Sequence, residues 1–330
     1  MGYIIGVVAG KGGVGKSTIS VNLALALKNF GLKIGLIDAD VYGPSLRKML
    51  RCDILPSQNL EHPDRILPAE SLGIKVVSMG FFIPESEAAV VRAPIANSVI
   101  GQFLHQVDWG ELDYLIIDFP PGTGDIQLTL MQQGKLDGAL VVTTPQELAL
   151  LDVRKAVRML VQLNVPILGV IENMSHFFGQ YPFGKGGGSR LAAELNTQLL
   201  GEIPLDPLLC KCADASESIF DSEEKSDSIE IFYEIAKKIM AMGEQESEVA
   251  DVHLVDESAL YLSWKDGLER TYPLSLIQEH CLCVRCRSQP KKHENVKASR
   301  MEVIGRYGIN FRFSAGCSFG IYPFSLLRRL

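Results

Sequence analysis

Residues 3–18 read YIIGVVAGKGGVGKST, and the fold follows from how this stretch divides. YIIGVVA is an unbroken apolar run of strand length, the pattern of a strand covered on both faces. Residues 17–29 carry helical spacing. Between them, Gly12, Gly13 and Gly15 let backbone N–H groups curl around phosphate oxygens without Cβ clashes. Lys16 reaches toward outer phosphates, Ser17 is placed for Mg²⁺, and the helix N-terminus adds its positive end. A strand, a glycine-rich loop and a helix in this order predict a phosphate loop, with Gly10, Lys11, Gly12, Gly13, Val14, Gly15, Lys16, Ser17 and Thr18 against a nucleotide. A tight glycine turn without a ligand is the alternative, and the register of all three parts argues against it. Lys11 comes before the turn, so its side chain can point across a facing copy of the same site. There its charge would meet the transferring phosphoryl group as an arginine finger does. A solvated surface lysine is the alternative; the position inside the motif favours an ATPase that closes as a homodimer.

The same alternation continues to about residue 242. The apolar runs KIGLID, IKVVSMGFF, YLIIDF, GALVVTT and PILGVIEN are separated by helical spacing over 94–106, 147–163 and 189–199. Alternating β and α units predict an α/β fold, a doubly wound, mostly parallel sheet of the P-loop NTPase kind. Asp38 and Asp40 end one strand, in LIDADVYGPS, at the carboxyl edge where open α/β sheets bind ligands. Both are catalytic candidates beside Lys11 and Lys16. Asp118 ends another, in YLIIDFPPGTGD, and with Ser17 is expected to hold the Mg²⁺ shell; Gly122 and Gly124 allow a loop that senses the γ-phosphate. Helix capping is the alternative role for each aspartate.

The chain has 330 residues and a formal net charge of −7, without the Lys and Arg surplus that grips nucleic acid. No uncharged apolar run approaches the ~18–20 residues of a membrane span, and the first residues lack the basic start of a signal peptide. Neither nucleic acid nor membrane is expected as a partner. Seven cysteines, four of them in the last fifth, fit reduced thiols or metal ligands in the cytoplasm better than a disulfide framework.

Residues 243–252 are acidic and read as a solvated linker between an ATPase domain, 1–242, and a domain of 253–330. In the latter, ALYLSWKDG and TYPLSL are echoed by INFRFSAG and IYPFSL. Each unit reads as a hairpin and a helical turn, too small to bury its own face alone. Paired, they make a small α+β domain that needs a staple. Cys281, Cys283 and Cys286 lie within six residues, and Cys317 follows the second repeat's turn. Four thiols suit a closed tetrahedral Zn²⁺ site first and an iron–sulfur cluster second. Reactive or merely buried thiols are the third reading. Cys210 and Cys212 are a weaker candidate pair, equally readable as buried side chains. The basic run 285–300 reads as a solvated loop or, less well supported, a docking patch for an acidic partner.

These residues resemble a known group. The leading lysine of KGGVGKST is similar to the deviant phosphate loop of the MinD/ParA/nitrogenase-iron-protein ATPases. DADVYGPS, DWGELDYLIIDFPPGTGD, VVTTPQELALLDVRKAV, VIENMS and FGKGGG resemble the Mrp/ApbC branch, the iron–sulfur cluster carrier ATPases. The resemblance implies a slow, Mg-dependent ATPase in which Lys11 crosses the dimer and Asp152 helps receive it. It implies that Asp40 positions the attacking water with Asp38 beside it, and that Asn173 recognises adenine, helped by the segment holding Pro204 and Asp206. It also implies apo iron–sulfur acceptor or scaffold proteins as partners. One departure stands out. Family members usually carry Cys-x-x-Cys between Asn-Met-Ser and Phe-Gly-x-Gly-Gly, where two subunits share a cluster; here SHFFGQYPFG has no cysteine. The C-terminal part resembles the zinc domain at the start of γ-butyrobetaine hydroxylase, where a histidine usually stands in the place of Cys317. A positioning ATPase of the MinD/ParA sort, or an ATP-dependent clamp whose zinc domain recruits clients, are the alternative functions.

Overall fold

The computed structural model describes residues 2–41, 43–52, 55–82, 93–246, 249–281, 286, 293, 295–304, 306–318 and 320–330. Its centre is an eight-stranded sheet in the order β10-β9-β8-β1-β7-β2-β6-β5. The strands are β1 (Tyr3–Ala9), β2 (Ile34–Asp38), β5 (Ala69–Ser71), β6 (Ile74–Ser78), β7 (Tyr114–Asp118), β8 (Gly138–Thr143), β9 (Ile167–Asn173) and β10 (Leu199–Ile203). The strand pair β3 (Ser57–Gln58) and β4 (Ile66–Leu67) stands apart from it. All neighbours in the large sheet are parallel except the edge strand β5.

The apolar run of β1 serves two cores at once. Tyr3, Ile5, Val7 and Ala9 enter one, with helices α1 (Lys16–Asn29), α7 (Pro207–Ala215) and α8 (Asp227–Glu246). Ile4 and Val8 enter the other, with α3 (Ala93–His105), α4 (Asp125–Gln133), α5 (Glu147–Gln162) and α6 (Gly187–Leu195). The side-chain period of two sends alternate residues to opposite faces, so a strand between two helical layers has no polar side to show. A short helix, α2 (Leu46–Met49), follows β2. Among the described residues no helix is long and apolar enough to cross a membrane.

Three expectations change. The helix read over 189–199 stops at Leu195, because Asn196 takes a left-handed cap at φ 55°. Residues Leu199–Ile203 then form β10, a strand whose Gly201 and Glu202 hid its pattern. IKVVSMGFF is strand only to Ser78, whose side chain caps a 3₁₀ turn over Met79–Phe81. The acidic stretch 243–252 is not an irregular linker: α8 runs to Glu246 and β11 covers Val249–Val255. Glu and Gln are good helix formers, and Val249, Val252 and Leu254 find a core to pack on.

That third core belongs to the C-terminal unit. Two three-stranded antiparallel meanders build it: β11, β12 (Ala259–Trp264) and β13 (Glu269–Pro273), then β14 (Ala298–Ile304), β15 (Gly308–Phe313) and β16 (Ile321–Pro323). Each ends in a short helix, α9 (Leu274–Glu279) in the first and Phe324–Leu327 in the second. The repeat is thus three strands and a helix; only the hairpin of each is legible in the sequence, because β11 has no buried residue and β14 only one, Ala298. The unit leans on the large sheet at the start of β1. Tyr307 packs against the core under α1 and α8, and Arg306 N donates to Asp137 Oδ1 at 3.1 Å. Asp137 Oδ2 accepts Ile4 N at 2.8 Å, which places this junction at the strand end opposite the phosphate loop.

Candidate functional site

The loop between β1 and α1 turns through Gly13 and Gly15, at φ 78° and 83°, a region only glycine enters cheaply. Gly10 is held by packing instead. A Cβ there would lie 2.1 Å from Val153 N, so α5 approaches the loop as closely as backbone allows. Past Gly15, Lys16 is buried and its Nζ lies 2.7 Å from Asp118 Oδ1. Ser17 Oγ donates to Asp118 Oδ2 at 2.6 Å, and Ser20 Oγ donates to Oδ1 at 2.7 Å. One fully buried carboxylate at the end of β7 thus gathers the lysine, the serine and one more hydroxyl from α1.

Asp38, at the end of β2, stands opposite Asp118 in the strand register. It accepts Asp40 N at 3.1 Å, Leu46 N at 3.2 Å and Ser78 Oγ at 2.9 Å. Burial first and the Asp118 charge second push its carboxyl up to about 7, against these hydrogen bonds. Asp40 is half-buried, and its Oδ1 accepts Gly43 N.

Asn173, at the end of β9, donates from Nδ2 to Val14 O at 2.9 Å and so braces the loop itself. A Cβ on Gly15 would lie 2.1 Å from that Nδ2. Asp206 caps α7, taking Leu208 N on Oδ1, while Ser226 and Ser228 donate to Oδ2. Pro204, half-buried, stands two residues before it. Lys11 Nζ reaches Gln146 Oε1 at 3.5 Å. Lys11, Val14, Thr144, Gln146, Met174 and Phe183 line a small cavity there. Asp152 is engaged by Lys155 at 3.0 Å on its own helix. The structure therefore brings together Lys16, Ser17, Asp38, Asp40 and Asp118, keeps Asn173 on the loop, and leaves Asp206 in a capping role.

The thiols divide. Cys281, Cys286 and Cys317 bring their Sγ atoms within 4.8 Å of one another, the first buried and the others half-buried. Cys283 lies outside the described residues. A tetrahedral zinc with Zn–S of about 2.3 Å sets its sulfurs about 3.8 Å apart, so this donor set fits such an ion. Gln278 Nε2 holds Ala315 O at 2.5 Å and so fixes the turn that carries Cys317. Cys210 and Cys212 do not converge. Two apart on α7, Cys210 is exposed while Cys212 packs into the core, as i and i+2 on a helix must diverge.

Residues 1–240 match the family described as NUBPL iron-transfer P-loop NTPase. This chain belongs to that family. Residues 251–328 match the γ-butyrobetaine hydroxylase-like N-terminal family. Over 244 residues the chain is 44% identical to the iron–sulfur cluster carrier protein of Aquifex aeolicus, covering 71% of this chain and 66% of that one. It is 45% identical over 247 residues to the carrier of Methanocaldococcus jannaschii, covering 71% and 83%. It is 46% identical over 239 residues to a chloroplastic Fe–S cluster assembly factor of Arabidopsis thaliana, covering 70% and 44%. A nucleotide-binding protein of Archaeoglobus fulgidus, solved with ADP, superposes with a TM-score of 0.58 at 38% identity, over 70% of this chain and 92% of that one. MinD of Pyrococcus horikoshii shares the fold at a TM-score of 0.57 and 23% identity, over 72% and 96%.

Within this P-loop family frame, some site residues were missed from the sequence. Ser20 lies one helical turn beyond Lys16 and Ser17, and that spacing would have placed it on the same face. Ser78 and Gln146 carry no motif; only the folded sheet sets them beside Asp38 and Lys11. Glu172, buried and accepting Gly188 N, anchors the FGKGGG segment to β9; burial raises its pKa.

Proposed function

We propose that this chain is an ATP-hydrolysing iron–sulfur cluster carrier or assembly factor that works as a homodimer in a reducing, cytoplasm-like compartment. The observation that carries the reading is the buried Asp118 carboxylate gathering Lys16 and Ser17, in a chain whose relatives are named for cluster carriage. Ser17 Oγ and Asp118 are hard oxygen donors, the kind Mg²⁺ takes beside nucleotide phosphates. When bound, Mg²⁺ supplies charge compensation for the phosphates. Lys16 then leaves Asp118 for the phosphate oxygens, and the loop's N–H groups orient them. Asp40, half-buried at the strand edge, holds the attacking water, with Asp38 as its neighbour. Lys11, on Gln146 rather than on the Lys16–Asp118 pair, serves the facing subunit near Asp152. Asn173, with Pro204 and Asp206 nearby, borders the base.

The cargo is assigned to thiols outside the usual place. Residues 175–184 contain no cysteine, whereas the C-terminal unit gathers Cys281, Cys286 and Cys317, with Cys283 in the same run. That site holds Zn²⁺ as a staple or receives the cluster. A resident zinc supports the second reading, a clamp whose C-terminal unit recruits apo-acceptor clients. Anaerobic reconstitution with iron and sulfide, followed by transfer to an apo-acceptor protein, tests the first reading. Uptake and ATP-dependent transfer are expected. A dimer that neither takes up nor passes on a cluster rejects it.

A further inference from the structure

The two repeats of the C-terminal unit give an internal comparison. Strand register equates Tyr272 with Tyr322: each follows the turn of its meander and pairs with the second strand, Tyr272 opposite Leu260 and Tyr322 opposite Ile309. Counting on, Ile277 corresponds to Leu327 and Gln278 to Arg328. The bracing is reciprocal. Gln278 of the first repeat holds the second repeat's turn at Ala315, and Arg328 of the second holds the first repeat's turn at Asp266. Tyr272 joins the same exchange, its Oη donating to Leu327 O at 2.6 Å.

Tyr322 breaks the symmetry. It is fully buried, wedged edge-on against Phe311 and Phe313, and among the described residues its Oη makes no hydrogen bond of ordinary geometry. Buried phenol groups without a partner are rare enough to require an explanation. What lies beside it is the thiol group. A Cβ added to Gly320 would fall 2.5 Å from Cys281 Sγ and 3.7 Å from Tyr322 Cζ, so thiol and phenol converge on one glycine. A phenol O–H is a donor. A neutral thiol is a weak acceptor, but the thiolate a metal requires is a strong one.

We propose that Tyr322 is a positioning residue of the thiol site, donating its O–H to the metal-bound Cys281 thiolate. The inference rests on the reading of Cys281, Cys283, Cys286 and Cys317 as metal ligands. A four-thiolate site concentrates negative charge, and a donor aimed at one sulfur draws part of it off. Partners of this kind typically change metal affinity by about 10–100-fold.

The test is a Co²⁺ titration of the full chain, kept reduced and air-free, read by thiolate-to-cobalt charge-transfer absorption. Tyr322→Phe keeps the ring packing and removes the donor. It should bind Co²⁺ about 10–100-fold more weakly and move the band to longer wavelength, because the sulfur becomes more electron-rich. Tyr272→Phe loses the equivalent buried bond away from the thiols and should leave both affinity and band in place. The band at saturating cobalt is independent of affinity, so a weakened fold does not imitate the effect. Wild-type affinity and an unmoved band in Tyr322→Phe would overturn the inference, as would the same change in Tyr272→Phe. A wild-type chain with no charge-transfer band would instead overturn the metal-site reading beneath it.

Discussion

Asp38 and Asp118 end adjacent strands in register, and the fold has to keep two buried carboxyls side by side. Lys16 answers the charge of Asp118, so the strain falls on Asp38, whose carboxyl is raised to about 7. Removing its like-charged neighbour favours the ionised form. Asp118→Asn should therefore move the Asp38 titration below 7, as measured by carboxyl carbon NMR; an unmoved titration would contradict the coupling. The stability consequence has a definite sign. Folded Asp38 keeps a proton that the unfolded chain releases near its ordinary value of 3.8, so its contribution falls as pH rises from about 4 to about 7. Asp38→Asn should flatten that part of the thermal-stability profile of the nucleotide-free chain. The lysines separate by role. Lys11→Ala should retain ATP binding yet lose hydrolysis by about 10³-fold or more, the scale of a charge lent to the transferring group. Full hydrolysis by that variant, measured as phosphate release, would remove the facing-subunit role.

At the scale of elements, the phosphate loop is held from two sides by close contacts, one with helix backbone and one with a side-chain amide, that leave no room for a Cβ. α5 presses on Gly10, and Asn173 of β9 presses on Gly15. Gly10→Ala should destabilise by about 1–3 kcal/mol, since a methyl group must displace helix backbone rather than a mobile side chain. Thermal unfolding would show it, and an unchanged midpoint would mean that α5 gives way easily. The long strands were legible because each is buried on both faces and therefore apolar throughout. β10 was not, since its glycine and its exposed glutamate interrupt the run. The first half of β11 falls within the acidic stretch 243–252, whose charge masks Val249 and Val252 until a core lies beneath them.

At the scale of the whole molecule, the C-terminal unit meets the large sheet at the start of β1, while the phosphate loop follows its far end. Asp137 spans the junction, accepting from Ile4 on one side and Arg306 on the other. The unit has its own core, fifteen buried residues from Leu260 to Leu327 among those described, which is small for independent stability. Stripping metal with a chelator under reducing conditions should lower an unfolding transition belonging to this unit while nucleotide binding at the P-loop persists. Joint loss of both, followed by calorimetry and nucleotide titration, would show that the two units unfold as one.

Composition and spacing alone established the α/β class, the phosphate loop, the carboxylates at strand ends and the clustering of cysteines, because each is a local pattern whose physical requirement falls within a few residues. Tertiary structure alone decided which carboxylate receives Lys16, that Cys210 is exposed while Cys212 is buried, and that Tyr322 and Cys281 meet at Gly320. Those facts depend on strand order and on the pairing of two repeats, which bring together residues that no local pattern connects.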